Sequence, residues 1–135
     1  MRESKHIERL LQRYKQRLPE SIPLSPDNVR RALAVIIAHL FDPGLNVRWM
    51  KERCYITDHN FSGRFKYYVG LSPRQYITKH RIAAARLLLQ APVLHQCSIT
   101  VVALRVGFNR HSTFTKAFKR IEGIPPSAYR RKFKK

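Results

Sequence analysis

The feature of this 135-residue sequence that most constrains its fold is an internal repeat. The stretch FKYYVGLSPRQY (Phe65 to Tyr76) matches FKRIEGIPPSAY (Phe118 to Tyr129) as F-K-x-x-x-G-[LI]-x-P-x-x-Y, at an offset of 53 residues. Five positions are identical and a sixth is a conservative Leu/Ile pair. A unit that recurs with its glycine, proline and tyrosine indicates two copies of one supersecondary structure. We therefore expect two similar lobes.

Short amphipathic segments surround each copy of the repeat. Apolar spacing and cap residues predict helices, and no alternating strand pattern of useful length appears, so the predicted class is all-α. The predicted helices are Ser4–Leu18, Val29–Phe41 opened by Ser25-Pro26, Val47–Cys54 capped by Asn46, one from Thr57-Asp58 to about Val69, Arg74 to about Gln90 opened by Ser72-Pro73, Ile99–Val106 capped by Ser98, one capped by Asn109, and a short one after Pro126. In each half, two short helices joined by a tight turn form a helix-turn-helix pattern.

The charge of the chain favours polyanionic partners. The formal net charge is +19, from 27 lysines and arginines against 8 acidic residues. No acidic residue occurs between Asp58 and Glu122, an interval that holds Arg64, Lys66, Arg74, Lys79, Arg81, Arg86, Arg105, Arg110, Lys116, Lys119 and Arg120. A merely solvated surface mixes both signs of charge. A one-signed surface is typical of a protein that binds nucleic acid or an anionic membrane surface.

The sequence lacks the patterns that enzymes, metal sites and membrane spans require. The histidines have no partnered carboxylate or nucleophile, and no glycine-rich phosphate loop is present, so we expect neither an enzyme nor a cofactor. Cys54 and Cys97 lie in apolar runs and are expected to be buried thiols in a reducing cytosol. The spacing of Cys54 and His59 does not suit zinc. Without a signal peptide or a long apolar run, the chain is expected in the cytoplasm, at the nucleoid.

The second half of the chain resembles a known family. The stretch ITVVALRVGFNRHSTFTKAFKRIEGIPPSAYR (Ile99 to Arg130) is similar to the pattern I-x-x-I-A…G-F…S-x-F-x-R-x-F-K…G-x-x-P-x-x-Y-R of the AraC/XylS family of bacterial transcription regulators. The resemblance covers about Val29 to Arg130. It implies a DNA-binding domain over residues 25–135, preceded by an N-terminal helix and linker over 1–24. Within the domain it implies a first helix-turn-helix at about 47–69, a linker helix at about 74–90 and a second helix-turn-helix at about 99–121. The two recognition helices would then enter successive major-groove segments of duplex DNA.

The second recognition helix carries most of the predicted DNA contacts. With Phe114 at 0° and about 100° per residue, Ala117, Phe118 and Ile121 lie within about 60° of it and form the core side. The opposite side is hydroxylic and cationic, and such side chains can donate to base edges and phosphates. The predicted contacts are His111, Ser112, Thr115 and Lys116 near bases, Arg110, Lys119 and Arg120 nearer phosphates, and Thr113 beside them.

The first recognition helix presents fewer side chains. With Phe61 at 0°, Phe65 and Tyr68 lie inward. By the resemblance, His59, Ser62 and Gly63 occupy base-reading positions. Gly63 has no side chain to read with, although it permits a close approach of the backbone to DNA. This lobe is therefore expected to add affinity through Arg64 and Lys66.

Several positions carry separate expectations. Lys51 falls on the inward stripe of its helix, where only the stem of its side chain can be buried. Trp49 and Tyr55 are expected to pack. The connector QAPVLHQCS is about three residues longer than the resemblance implies, which leaves the angle between the lobes open. The tail YRRKFKK is expected to be flexible and to contact phosphates.

The predicted function is sequence-specific binding of double-stranded DNA by a transcription regulator acting as an activator, with RNA polymerase as the partner that the resemblance implies. Two alternatives stay open: a nucleoid protein that ignores DNA sequence, and a basic RNA-binding protein. The tight turn at Gly107-Phe108 and the two Pro-x-x-Tyr units argue against a cationic membrane-surface protein.

The N-terminal segment also leaves alternatives. Many members of the family carry a sensor domain before this module, whereas about 24 residues precede the first family-like helix here. The chain is then either a stand-alone member or a fragment of a longer regulator with an upstream sensor domain. The Ser4–Leu18 helix is a remnant of a coiled-coil linker, a dimer contact or a brace on the Val29–Phe41 helix, and the brace is slightly favoured.

Overall fold

A computed structural model describes residues 2–19 and 22–134 of the chain. Every regular element in this described part is a helix, which confirms the all-α class. The α-helices are α1 (Arg2–Gln16), α2 (Asp27–Ala38), α3 (Val47–Arg53), α4 (Phe61–Val69), α5 (Pro73–Gln90), α6 (Ile99–Arg105), α7 (His111–Glu122) and α8 (Pro126–Arg131), with a 3-10 turn at Pro92–Leu94. None of these described helices is long and apolar enough to cross a membrane.

Three predicted helix caps form as expected. The side chains of Asn46, Ser72 and Ser98 each accept a hydrogen bond from the backbone amide three residues later. At the start of α5 the bond is reciprocal, because the Gln75 side chain accepts from the amide of Ser72 at 3.0 Å. This capping box satisfies two amides that the helix leaves unpaired and fixes the first turn of the longest helix.

Three helix starts differ from the prediction. Asn109 does not cap α7; its side-chain amide instead donates to the carbonyl oxygen of Pro43 at 3.3 Å, across the two lobes. The α4 helix begins at Phe61 rather than at Thr57-Asp58, because Asp58 accepts the amide of Asn60 in a turn of its own. Ser25 donates to the carbonyl oxygen of Ile22 at 2.6 Å and does not cap α2.

Each lobe has its own apolar core. The first core joins α2, α3 and α4 to the first part of α5, and the second joins α6 and α7 to the rest of α5. Two phenylalanines at i, i+4 on each recognition helix are fully buried at corresponding places: Phe61 and Phe65 in the first lobe, Phe114 and Phe118 in the second. Cys54 and Cys97 are buried and unpaired, as predicted. The two-lobed arrangement around a long helix is thus the one that the repeat predicts.

The turns of the two helix-turn-helix units have similar backbones and different residues. Each turn contains one residue in the left-handed region, Gly107 with φ of +111° in the second lobe and Tyr55 with φ of +56° in the first. That region suits glycine and strains other residues. Tyr55 is also 88% exposed, so the expectation that it packs is wrong. Trp49 is half-buried as expected, with its ring 5.0 Å from that of His39.

The N-terminal helix braces a different helix from the one expected. Ile7 and Leu11 are buried in the core of the second lobe, where α1 packs on α5. The hydroxyl of Tyr14 lies 2.6 Å from Nδ1 of His80, which is also on α5. Contact with the end of α2 is slighter, through a 3.4 Å hydrogen bond from Lys15 to a carbonyl. The apolar stripe of α1 thus packs on α5 and the second core.

The C-terminal tail is partly structured. Its first residues belong to α8, where the Tyr129 ring lies 5.4 Å from that of Phe118. The Tyr129 hydroxyl accepts a 2.6 Å hydrogen bond from the side chain of Gln90. The expectation of a flexible tail is therefore wrong for this part, while the end of the stretch, residue 135, lies outside the described residues.

Candidate nucleic-acid interface

The outward face of α7 carries most of the predicted contacts. Phe114, Ala117 and Phe118 are buried and hold the helix on the second core, as predicted. The exposed positions are His111, Ser112, Thr113, Lys116, Lys119 and Arg120, with exposed Arg110 directly before the helix. Among the described residues, none of these cations forms an ion pair with a carboxylate. Their positive charge is therefore available to an external anion.

Two positions of α7 differ from the predicted faces. Thr115 is half-buried, and its hydroxyl oxygen is buried with no hydrogen-bond partner among the described residues. Thr115 lies about 100° from Phe114 around the helix, at the edge of the core side, so its short side chain turns inward and presents no donor to a base. Ile121 was expected on the core side but is 42% exposed, because it lies in the last turn, beyond Phe118.

The first helix of the second unit orients one of the predicted base-reading residues. Nδ1 of His111 lies 3.0 Å from the hydroxyl oxygen of Thr100 on α6. When the hydroxyl donates to Nδ1, the imidazole carries its proton on Nε2, which then points a donor away from the protein. Thr100 was not predicted as a site residue; the signal in the sequence was an exposed hydroxyl at the start of a helix-turn-helix unit.

The face of α4 is less charged than that of α7. His59, Ser62, Gly63 and Lys66 are exposed, as predicted. A Cβ added to Gly63 would have no neighbour within 4 Å, so nothing inside the protein requires glycine there. Arg64 forms a 3.0 Å ion pair with Asp58, which reduces the charge that it can offer to a phosphate.

A cleft between the lobes contains cations that the sequence analysis did not select as site residues. Arg48 at the start of α3 and Arg74 at the start of α5 line it, opposite Arg110 and Thr113 of the second lobe. Arg48 also pairs with Glu52 at 3.2 Å, but both side chains are well exposed, and such surface pairs are weak. These arginines are far apart in sequence and meet only because both lobes pack on α5. The predicted residues therefore form one patch on each lobe, with a cationic cleft between them.

Comparisons with known proteins agree with this geometry. A family model described as a helix-turn-helix domain, of the AraC type, matches residues 52–132. The chain is similar to the arabinose operon regulatory protein of Escherichia coli, with 30% identity over 125 residues that cover 92% of this chain and 42% of the relative. It is also similar to the regulatory protein PocR of Salmonella typhimurium, with 32% identity over 102 residues that cover 76% of this chain and 32% of the relative. The chain thus spans a third to two fifths of the length of these relatives.

Solved structures show the same fold. The C-terminal domain of AraT, a response regulator from Geobacillus stearothermophilus, superposes with a TM-score of 0.71 at 29% identity and covers 81% of this chain and 88% of that domain. The DNA-binding domain of AdpA, a global transcriptional factor solved in complex with a target DNA, gives 0.68 at 28% identity and covers 80% and 94% of the two chains. Members of the matched family are transcription regulators and not enzymes. The chain belongs to the AraC-type helix-turn-helix family of transcription regulators and contains the DNA-binding domain of that family.

Proposed function

We propose that this chain reads duplex DNA sequence-specifically, with α4 and α7 in two adjacent major-groove segments. The observation that carries the proposal is the exposed face of α7, which combines hydroxyl, imidazole and cationic donors with no paired carboxylate in the described part of the chain. An α-helix fits the major groove, where such donors can contact base edges. The net charge of +19 supplies the attraction to phosphates on which affinity depends.

The residues of α7 divide by reach. His111, Ser112 and Lys116 lie toward the start and middle of the helix and are assigned to bases, because recognition helices contact bases mainly through their N-terminal part. Arg110, Lys119 and Arg120 are assigned to phosphates, with Thr113 beside Arg110 at the cleft. Thr115 is assigned a packing role because its hydroxyl is buried.

In the first lobe, we assign DNA binding more to a close approach of the α4 backbone than to positive charge. His59 and Ser62 are assigned to bases and Lys66 to a phosphate, while Gly63 lets the α4 backbone approach the groove. Arg64 contributes through its pair with Asp58, which holds the start of α4.

The cleft between the lobes is assigned to the sugar-phosphate backbone. When α4 and α7 occupy two successive major-groove segments on one face of the DNA, the sugar-phosphate backbone between those segments passes the space between the two helices. Arg48, Arg74 and Arg110 line that space and can contact phosphates without reading sequence.

We further propose that the whole regulator activates transcription through RNA polymerase, in the cytoplasm and at the nucleoid. The DNA-binding domain is assigned to residues 25–135 and the N-terminal helix and linker to 1–24. These relatives are longer than this chain, so an upstream sensor domain belongs to the proposal for the case in which the chain is a fragment of a longer regulator.

The experiment that tests the proposal is selection from a random pool of duplex DNA at about 0.15 M salt, near physiological ionic strength. The expected result is an enriched motif with two blocks, one for each recognition helix. Equal retention of all sequences, with affinity that collapses as salt rises, would favour a packaging protein. Stronger retention of a matched RNA pool would favour an RNA-binding protein.

A further inference from the structure

One arginine at the middle of the linker helix lies at the junction of the two lobes. Arg81 is 7% exposed, and among the described residues it is the sole charged side chain in the buried interior. On α5 it lies between Ile77, which belongs to the first core, and Ile82, which belongs to the second. The helix therefore passes from one core to the other at Arg81.

The guanidinium is bound to the first lobe through three carbonyl oxygens. Nε donates to Leu40 at 2.7 Å, and Nη2 donates to Asp42 at 2.9 Å and to Leu45 at 3.3 Å. All three carbonyls lie on the segment that connects α2 to α3. A buried charge is costly unless its donors are satisfied, so these bonds hold the segment and the arginine to each other.

The same guanidinium contacts the turn of the second helix-turn-helix unit. Its central carbon lies 5.9 Å from the centroid of the Phe108 ring. A Cβ at Gly107 would lie 2.5 Å from Nε and 2.7 Å from Cζ of Arg81. The turn can therefore approach the arginine this closely only with glycine at that position. The Asn109 amide, which donates to the Pro43 carbonyl, adds a contact along the same seam.

The charge that makes these contacts persists at neutral pH. Burial lowers the pKa of Arg81 to about 10, partly opposed by the nearby Asp42. The guanidinium therefore stays protonated, and all of its donors remain available to the first lobe while its face remains against the second.

We propose that Arg81 is a positioning residue that fixes the angle between α4 and α7, and hence the spacing of the two DNA segments that the protein selects. The inference rests on the proposed function, since spacing has meaning only when both helices read DNA. No base contact is assigned to Arg81 itself. Its role follows from holding a loop of one lobe and a turn of the other at a single point.

The test measures spacing preference in Arg81 variants. Duplexes carry the two blocks of the selected motif with base pairs added or removed between them, and affinities are measured at one salt concentration. The wild type is expected to lose about tenfold in affinity or more for each base pair of change, comparable to a mismatched base pair. For Arg81→Lys and Arg81→Met, the affinity is expected to fall by about threefold or less for each base pair of change in spacing. The base preference within each block should stay that of the wild type.

Two further variants keep the test decisive. Gly107→Ala disturbs the same junction from the second lobe without changing residue 81, because the added methyl group must displace the Arg81 guanidinium or the turn. It is expected to broaden the spacing preference as well. Arg86→Met is the matched control, because Arg86 is also on α5 but pairs with Glu122 at 3.3 Å within the second lobe. It is expected to lower thermal stability and to leave the spacing preference unchanged.

The outcomes distinguish a failure of the role assigned to Arg81 from a failure of the proposed sequence-specific DNA binding. A wild type that enriches no two-block motif would refute the proposed function. A wild type with such a motif, together with folded Arg81 variants that keep its spacing optimum and lose affinity equally at every spacing, would overturn the inference alone. Loss of folding in all three junction variants would also overturn it, because it would assign Arg81 to folding rather than to spacing.

Discussion

Gly63 offers the sharpest test of how the first lobe meets DNA, because stability and binding should respond in opposite directions. It is exposed within α4, has no positive φ, and an added Cβ would meet nothing within 4 Å. Alanine is the better helix former by about 0.8–1 kcal/mol in a helix interior. Gly63 is the third of nine helical residues, where the gain is smaller. Gly63→Ala is therefore expected to raise the free energy of unfolding by about 0.5 kcal/mol.

Binding should change the other way. If the α4 backbone at Gly63 lies against the groove, a methyl group placed there separates the helix from the base edges. The expected loss is that of one spoiled contact, about 1–3 kcal/mol, or about 5- to 150-fold in affinity for the selected duplex. The stability is measured by urea unfolding and the affinity by fluorescence anisotropy on the same preparations.

Two variants on the same helix serve as controls. Ser62→Ala removes an exposed hydroxyl next to Gly63 and should weaken binding with a smaller gain in stability, because serine is already a better helix former than glycine. Lys66→Ala should weaken binding to all duplexes alike and reduce the slope of log affinity against log salt by about 1. A stabilised Gly63→Ala protein that binds the selected duplex as tightly as the wild type would refute the reasoning, since the α4 backbone could not then lie close to DNA at this residue.

Three further predictions address the second lobe and the stability of the fold. Lys116→Ala should lower discrimination at particular base positions in a selection experiment, whereas Lys119→Ala should weaken all sites alike; identical effects would contradict the assignment of the α7 face. Tyr55→Gly should raise the free energy of unfolding by about 0.5–1 kcal/mol in urea titrations, because it removes left-handed strain and little contact; a loss would contradict the strain. Burial lowers the pKa of His80 to about 4 from its ordinary 6.5, so the unfolded chain binds more protons than the folded chain between those pH values. The free energy of unfolding should therefore fall by up to about 3 kcal/mol as pH falls from 6.5 to about 4. A His80→Gln variant whose stability changes with pH as steeply as that of the wild type would refute this.

The sequence predicted those features that depend on local chemistry. The repeat, the helical spacing and the cap residues Asn46, Ser72 and Ser98 determine where the helices lie. The exposed and buried sides of α7 followed from the angle around a helix, except at Thr115, which lies on the border between them, and at Ile121, which is exposed in the last turn. A periodic pattern cannot decide the direction of a border residue, because that depends on how the neighbouring helix packs.

The features that the sequence did not predict depend on contacts between distant segments. Asn109 has the residue type and position of a helix cap, yet its side-chain amide donates a hydrogen bond to the Pro43 carbonyl of the other lobe. The sequence shows the apolar stripe of α1, but it does not show that this stripe packs on α5 rather than on α2. Arg81 reads as one of many cations in an acid-free stretch, and its burial follows from three carbonyls about 40 positions earlier in the chain.

The asymmetry of the two lobes explains why a rigid junction would matter to the proposed function. The α7 face offers several donors free of carboxylates, whereas α4 offers Ser62 and Lys66 beside a glycine and an arginine already paired with Asp58. A weakly discriminating lobe adds little to affinity or specificity when it can bind DNA at many positions relative to the other lobe. The entropy that it loses on binding then offsets the free energy of its few contacts. When the lobe is held at one offset, its effective concentration at the adjacent groove segment is high there and negligible elsewhere. Modest contacts from α4 then count only at one spacing, and a longer site is selected than α7 could read alone.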